Sequence, residues 1–85
     1  MVDYDKTTQE IAAMALFEYG GHSLRSALSI AAAECGYDAA GEEYEHALAK
    51  AVERNGECRR AGKRCSTPEL LRYLVAGKPS AELVA

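Results

Sequence analysis

Apolar residues recur along this chain at helical spacing and nowhere alternate with polar ones for long, so the pattern predicts helices and little strand. In the first segment Ile11, Ala12, Ala15, Leu16 and Tyr19 share one stripe. Thr7, with Glu10 three residues on, reads as a capping box, and Gly20-Gly21 reads as the stop. The predicted helix covers about 7–19. A second begins behind Ser23 as N-cap and runs over about 23–35. Its Leu24, Ala27, Leu28 and Ala31 follow helical spacing, and Ile30, Ala32 and Cys35 widen the stripe. The remaining positions, Ser26, Ser29 and Ala33, are small, so this helix is expected to be central and mostly buried.

In the third segment Asp38 is the expected cap, and Glu42, Glu43 and Glu45 suit the positive end of the helix dipole. Tyr44, Ala47, Leu48, Ala51 and Val52 form the inner stripe, and Asn55-Gly56 is the expected stop, giving a helix over about 39–54. Residues 56–65 lack periodicity and read as a basic loop with two cysteines. Ser66 and Glu69 form a second capping box, Pro68 sits in the first turn, and Leu70, Leu71, Leu74 and Val75 follow. Gly77 and Pro79 are the expected end of this helix over about 67–76, with 80–85 adding a turn or fraying. Short connections favour antiparallel neighbours. The expectation is a single all-α domain over 1–85: a compact bundle of four short helices, with the basic loop before the last.

Composition makes that core lean. Of 85 residues, 16 are Ala, 17 are Leu, Ile, Val, Met or Phe, and none is Trp. At this size folding buries roughly 63% of the unfolded surface. Alanine stripes let helices approach closely, but each Ala in place of a Leu gives up several methylenes at ~0.8 kcal/mol apiece. Lean cores of this kind are often completed by a partner or a second copy, so the expected partner is another, larger protein, with a homodimer as the variant. No apolar run approaches the ~20 residues of a membrane span. The acidic start, Met1-Val2-Asp3-Tyr4-Asp5, does not read as a signal peptide, and three cysteines leave one over. These features suggest a cytoplasmic protein in which Cys58 and Cys65 are reduced and Cys35 is a core thiol.

Charge divides the chain in two. Residues 1–49 carry nine acidic and two basic groups, net −7, while residues 50–85 carry eight basic and four acidic groups, net +4. The sum, −3, argues against a generic nucleic-acid binder, but the polarity suits docking onto a charged partner. The candidate protein-binding surface is the acidic start of the third helix, Glu42, Glu43 and Glu45, with Tyr37 and Tyr44 as exposed anchors. The carboxylates of the acidic half, Asp3, Asp5, Glu10, Glu18, Glu34, Asp38, Glu42, Glu43 and Glu45, could gather on one side of the bundle, and such a face can occupy another protein's basic site, which is the mode of a small inhibitor or regulator. The alternative is a nucleic-acid-binding regulator that uses Arg59, Arg60, Lys63 and Arg64 with Arg72 of the fourth helix.

Other chemistries find less support. A helix-turn-helix alignment over the second and third helices would aim Glu42, Glu43 and Glu45 at a phosphate-lined groove, where they are repelled. Cys58 and Cys65 stand too far apart for a zinc Cys-x₂₋₄-Cys pair, with no His at partner spacing. Glu43-x-x-His46 is half of a di-iron pattern without its other half. Cations beside Cys58 and Cys65 favour thiolates, and under oxidation the two could close a small loop. Ser23 follows His22, but there is no nucleophile elbow, and Gly20-Gly21 lacks the residues of a phosphate loop. The expectation is therefore a non-enzymatic protein with no metal and no cofactor.

Overall fold

A computed structural model describes residues 4–76 and, among them, four helices and no strand: α1 (Tyr4–Phe17), α2 (Leu24–Glu34), α3 (Glu42–Arg60) and α4 (Thr67–Ala76). The all-α bundle expected from the pattern is what forms. The segment over 77–85, with its expected stop and extra turn, lies outside the described residues, as does Asp3.

The core is Ile11, Leu28, Leu48, Leu71, Leu74 and Tyr44, knitted together by Ala12, Ala15, Ala27, Ala31, Ala32, Ala47 and Ala51. Each lies on the stripe its spacing predicts, but Ile30, Val52 and Val75, expected on the same stripes, lie at their margins and are exposed. The central element, however, is α1 rather than α2. Helix α1 packs against all three others, most heavily α4, while α2 leaves Arg25, Ser26, Ile30, Ala33 and Glu34 exposed. A face of small residues does not by itself decide burial. Part of it is used locally: Ser29 Oγ donates to the Ala39 carbonyl at 2.9 Å, which holds the α2–α3 linker against the helix.

Helix ends divide into those set by local chemistry and those set by tertiary contact. Ser23 caps α2, its Oγ accepting from the Ser26 N–H at 3.3 Å. At the other end Gly36, at φ +93°, makes a Schellman stop. There the Tyr37 N–H reaches the Ala32 carbonyl at 2.9 Å and the Gly36 N–H reaches Ala33 at 3.1 Å. The Ser66–Glu69 box also forms: the Ser66 N–H donates to Glu69 Oε1 at 2.7 Å, and the Glu69 N–H to Ser66 Oγ at 3.3 Å.

The Thr7–Glu10 box does not form. Helix α1 starts three residues earlier, and Thr7 Oγ1 donates back to the Tyr4 carbonyl at 3.1 Å. The early start is held from outside the helix, because the Tyr4 ring stacks on His46 of α3, centroid to centroid 5.1 Å, and its hydroxyl donates to Glu42. Asp38 likewise does not cap α3. Its carboxylate accepts from the Ala40 N–H at 3.0 Å within the linker, and the N-cap is Gly41. A Cβ at Gly41 would lie 2.8 Å from the Asp38 Cβ, so the turn tolerates only glycine there.

The largest correction concerns residues 56–65. Helix α3 does not stop at Asn55-Gly56 but continues to Arg60, so the expected basic loop shrinks to the segment from Ala61 to Ser66. The stop is instead Gly62, at φ +75°, with Lys63 N–H on the Cys58 carbonyl at 2.8 Å and Gly62 N–H on Arg59 at 3.0 Å. Gly56 is carried in the helix interior at a cost of ~0.5–1 kcal/mol relative to Ala, small enough for the buried Cys58 two residues later to outweigh. Cys58 is bonded to Cys65 across the α3–α4 turn, with a Cα–Cα distance of 6.4 Å, so the expectation of two reduced thiols is also overturned. Cys35 remains outside the bridge and half-buried at the edge of the core.

Candidate functional site

The expected acidic surface is only partly assembled as its sequence neighbours suggested. Four consecutive positions, Glu42, Glu43, Tyr44 and Glu45, are spread over about 300° around the helix axis and cannot all share one face. Glu42 and Glu45 are exposed, Glu43 is half-buried, and Tyr44 is 9% exposed within the core. Tyr44 is therefore a packing residue and not an exposed anchor. Tyr37 is half-buried and keeps its hydroxyl at the surface, donating to Glu10 Oε1 at 2.8 Å.

That bond brings in a residue of the wider acidic half that lies outside the contact surface expected on α3. Glu10 reaches Tyr37 from α1, and Glu42 accepts from Tyr4, so one carboxylate of α1 and one of α3 are each tied to a phenol from another segment. Each phenol is held protonated to higher pH than usual. For Tyr37 the cause is first the hydrogen bond to Glu10, then desolvation, and then the charges of Glu10, Cys35 and Glu43. For Tyr4 it is first the bond to Glu42, then desolvation, and then the charges of Glu42 and Glu43. The row continues onto α2. Glu34 is raised above the usual carboxylate range by a hydrogen bond shared with Glu18, next by desolvation and then by Glu18's charge. Burial, with Glu10 and Glu34 adding to it, pushes up the Cys35 thiol, which lies 3.8 Å from the Glu10 carbonyl. Glu18, Glu34, Glu10, Glu43 and Glu42 thus lie along one edge where the end of α2, the flank of α1 and the start of α3 come together. Of this row, Glu42 and Glu43 belong to the contact surface expected on α3, and Glu10, Glu18 and Glu34 belong to the wider set of carboxylates that the acidic half could gather on one side.

The basic end takes its shape from the late stop of α3. Arg59, Arg60, Lys63, Arg64 and Arg72 are all exposed, as a nucleic-acid surface would need. Lys63 and Arg64 line a groove of about 440 Å3 together with Arg54, the two bonded cysteines, Glu69, Leu70 and Tyr73. Arg54 is fixed there, its guanidinium 4.4 Å above the Tyr73 ring and 3.2 Å from Glu57. Glu69 is held below the usual carboxylate range, chiefly by the Ser66 backbone N–H and then its hydroxyl, with Arg72 and Lys63 contributing charge.

A smaller cleft of about 260 Å3 lies between α1, α3 and α4, lined by Asp5, Thr8, Gln9, Lys50, Glu53, Tyr73 and Leu74. Beside it His46 stacks on Tyr4, with Nε2 3.9 Å from Asp5 Oδ1 and no hydrogen bond. Thr8 Oγ1 is likewise buried without a partner. Among the described residues no three His, Cys, Asp or Glu side chains converge as metal ligands, and no helix is long and apolar enough to cross a membrane. Comparison of the chain with protein-family models finds no match, and comparison with curated proteins and with solved structures finds no significant match.

Proposed function

We propose that this protein is a non-enzymatic regulatory module that binds another, larger protein through the acidic edge formed by Glu10, Glu42 and Glu43. The observation that carries the reading is the pair of tyrosine–carboxylate bonds, Tyr4 to Glu42 and Tyr37 to Glu10. They fix carboxylates from two helices in one place, where free side chains would spread apart to lower their mutual repulsion. Fixed like charges raise the local potential and speed encounter with a basic surface. Aromatic rings beside them add apolar contact area at low entropic cost. Occlusion of a partner's cationic site is the mode of action this favours. A homodimer variant rests on Phe17, which is 85% exposed at the end of α1, and on Ile30, Val52 and Val75. The reading keeps the cytoplasm as the site of action.

The test is capture of a basic partner from host extract, followed by binding of a lysine-rich peptide to the purified chain. Changing Glu10, Glu42 and Glu43 to Gln together should abolish both, while changing Arg59, Arg60, Lys63 and Arg64 to Ser leaves both intact. A salt-sensitive DNA or RNA gel shift that disappears with the second set would replace this reading by the nucleic-acid one. Sedimentation that shows only monomer at high concentration removes the homodimer.

A further inference from the structure

We propose that Cys58 and Cys65 form a reversible thiol–disulfide centre whose reductant is an acidic low-molecular-weight thiol. The bridge lies in the wall of the 440 Å3 groove, so a small molecule can reach it without the fold opening. The two sulfurs are not equivalent. Cys58 is 4% exposed in the last turns of α3, whereas Cys65 is only half-buried in the linker. Attack is therefore directed to Cys65.

Three cations, Arg54, Lys63 and Arg64, line the groove, and the carboxylate they face, Glu69, already accepts the Ser66 N–H. Arg54 is also held in place by Tyr73 and Glu57. The groove thus offers a net positive wall beside a sulfur open to attack. It suits a thiol that carries carboxylates of its own, and it favours the thiolate form that does the chemistry. Cys35 does not compete, because it lies on the acidic edge between Glu10 and Glu34.

The exchange balances in two steps. A small thiolate attacks Cys65 Sγ, a new S–S bond forms, and the electron pair of the old bond leaves on Cys58 Sγ, which takes a proton from water. A second small thiolate then attacks the small-molecule sulfur of the mixed disulfide, and Cys65 departs as a thiolate that is protonated in turn. Two electrons pass to the protein, and one oxidised small disulfide is released. Run in reverse, the same steps close the bridge from two protein thiols and the oxidised small disulfide. The halfway species carries a new anionic group at Cys65, between Arg64 and the α4 cap. Opening the bridge also removes the covalent tie that holds Lys63 and Arg64 against α3, so the basic end changes while the acidic edge does not.

The experiment follows bridge opening by thiol alkylation and intact-protein mass. The reductants are glutathione, neutral 2-mercaptoethanol and cationic cysteamine, at matched thiolate concentration. At low salt the structure predicts opening about tenfold faster with glutathione than with cysteamine, with 2-mercaptoethanol between them. High salt should collapse the ratio in the unaltered chain, and Lys63→Gln with Arg64→Gln should collapse it at low salt. A mass increase matching one mixed disulfide, mapped to Cys65, is the expected intermediate. Equal rates for the three thiols at low salt, a mixed disulfide on Cys58, or alkylation of Cys58 and Cys65 without any reductant would each overturn the proposal.

Discussion

Replacing Leu71 by Ala is the sharpest test of the lean core. Leu71 is fully buried in α4 and, with Ile11 and Leu28, is one of the three largest side chains to be so. Truncation removes three carbons, about 2.4 kcal/mol of transfer free energy at ~0.8 kcal/mol per methylene. The cavity left behind raises the cost to roughly 3–4 kcal/mol if the surroundings do not collapse. They have little with which to collapse, because seven of the buried residues are alanines without a rotatable side chain. A chain of 85 residues has a total stability of about 4–13 kcal/mol. The substitution should therefore remove a quarter or more of it and lower Tm by roughly 12–30 °C. Urea unfolding followed by circular dichroism measures the loss, with Arg72→Ala, exposed on the same helix, as the control. The midpoint should fall while the slope stays constant. A loss below ~1 kcal/mol, or one equal to that of the control, would refute the packing of α4 on α1.

Further outcomes follow from the helix ends, the bridge and the phenols. Gly56→Ala should stabilise by ~0.5–1 kcal/mol, since a Cβ there meets only Arg60 Nη1 at 3.6 Å, whereas Gly62→Ala, at φ +75°, should destabilise by ~1 kcal/mol. Thermal melts of the two variants moving in the same direction would restore the early stop. Reducing the Cys58–Cys65 bridge, which spans a sequence separation of 7, should cost about 2.5 kcal/mol on the chain-entropy relation, read as a lower urea midpoint under a strong reductant. Tyr4 and Tyr37 have folded-state pKa values raised above the ordinary tyrosine value of about 10. Their bonds therefore contribute stability that is present below pH 10 and is lost as pH rises through the folded values. Tyrosine absorbance should show these two phenols ionising above the ordinary tyrosine range, and Glu10→Gln should bring Tyr37 down.

Helix number, helix class and the core stripes were legible because they depend on spacing, and spacing is local. So were the ends at Ser23, Gly36 and Ser66, where one side chain or one glycine satisfies the orphaned backbone groups by itself. The misplaced ends depend on contacts between distant segments. Nothing near Thr7 records that Tyr4 will find His46 and Glu42 on another helix. The true end of α3 did leave a trace. Cys58 falls seven residues after Ala51, so the inner stripe Tyr44, Leu48, Ala51 continues to it through Gly56. Reading Asn55-Gly56 as a stop let a turn signal overrule that periodicity, while Gly62, with a cation-rich last turn before it, was the better stop. Glu10 stood among the carboxylates of the acidic half but outside the contact surface drawn on α3. Proximity in sequence grouped Glu42, Glu43 and Glu45, whereas the hydrogen bonds of Tyr4 and Tyr37 bring Glu10 to the edge that Glu42 and Glu43 occupy.

The charge division along the chain acquires a physical length in the fold. Glu42 opens α3 and Arg60 closes it, and an α-helix of that span separates them by about 27 Å. Screening at physiological salt acts over ~8 Å, so neither end neutralises the other across solvent. The two ends are thus separate electrostatic sites on one rigid rod. Each also has its own means of holding like charges together: tyrosine hydroxyls at the acidic edge, and the disulfide with the Arg54–Tyr73 contact at the basic end. Neutralising Glu10, Glu42 and Glu43 should leave the rates of bridge reduction unchanged, and opening the bridge should leave capture of a basic partner unchanged. If either perturbation altered the other end's ligand, the ends would have to be coupled through the packing of α3 against α1, the helix that contacts both α3 and α4. The packing between those helices would then be the bistable element, and Ala47→Val, at a fully buried position of α3, should shift both activities together.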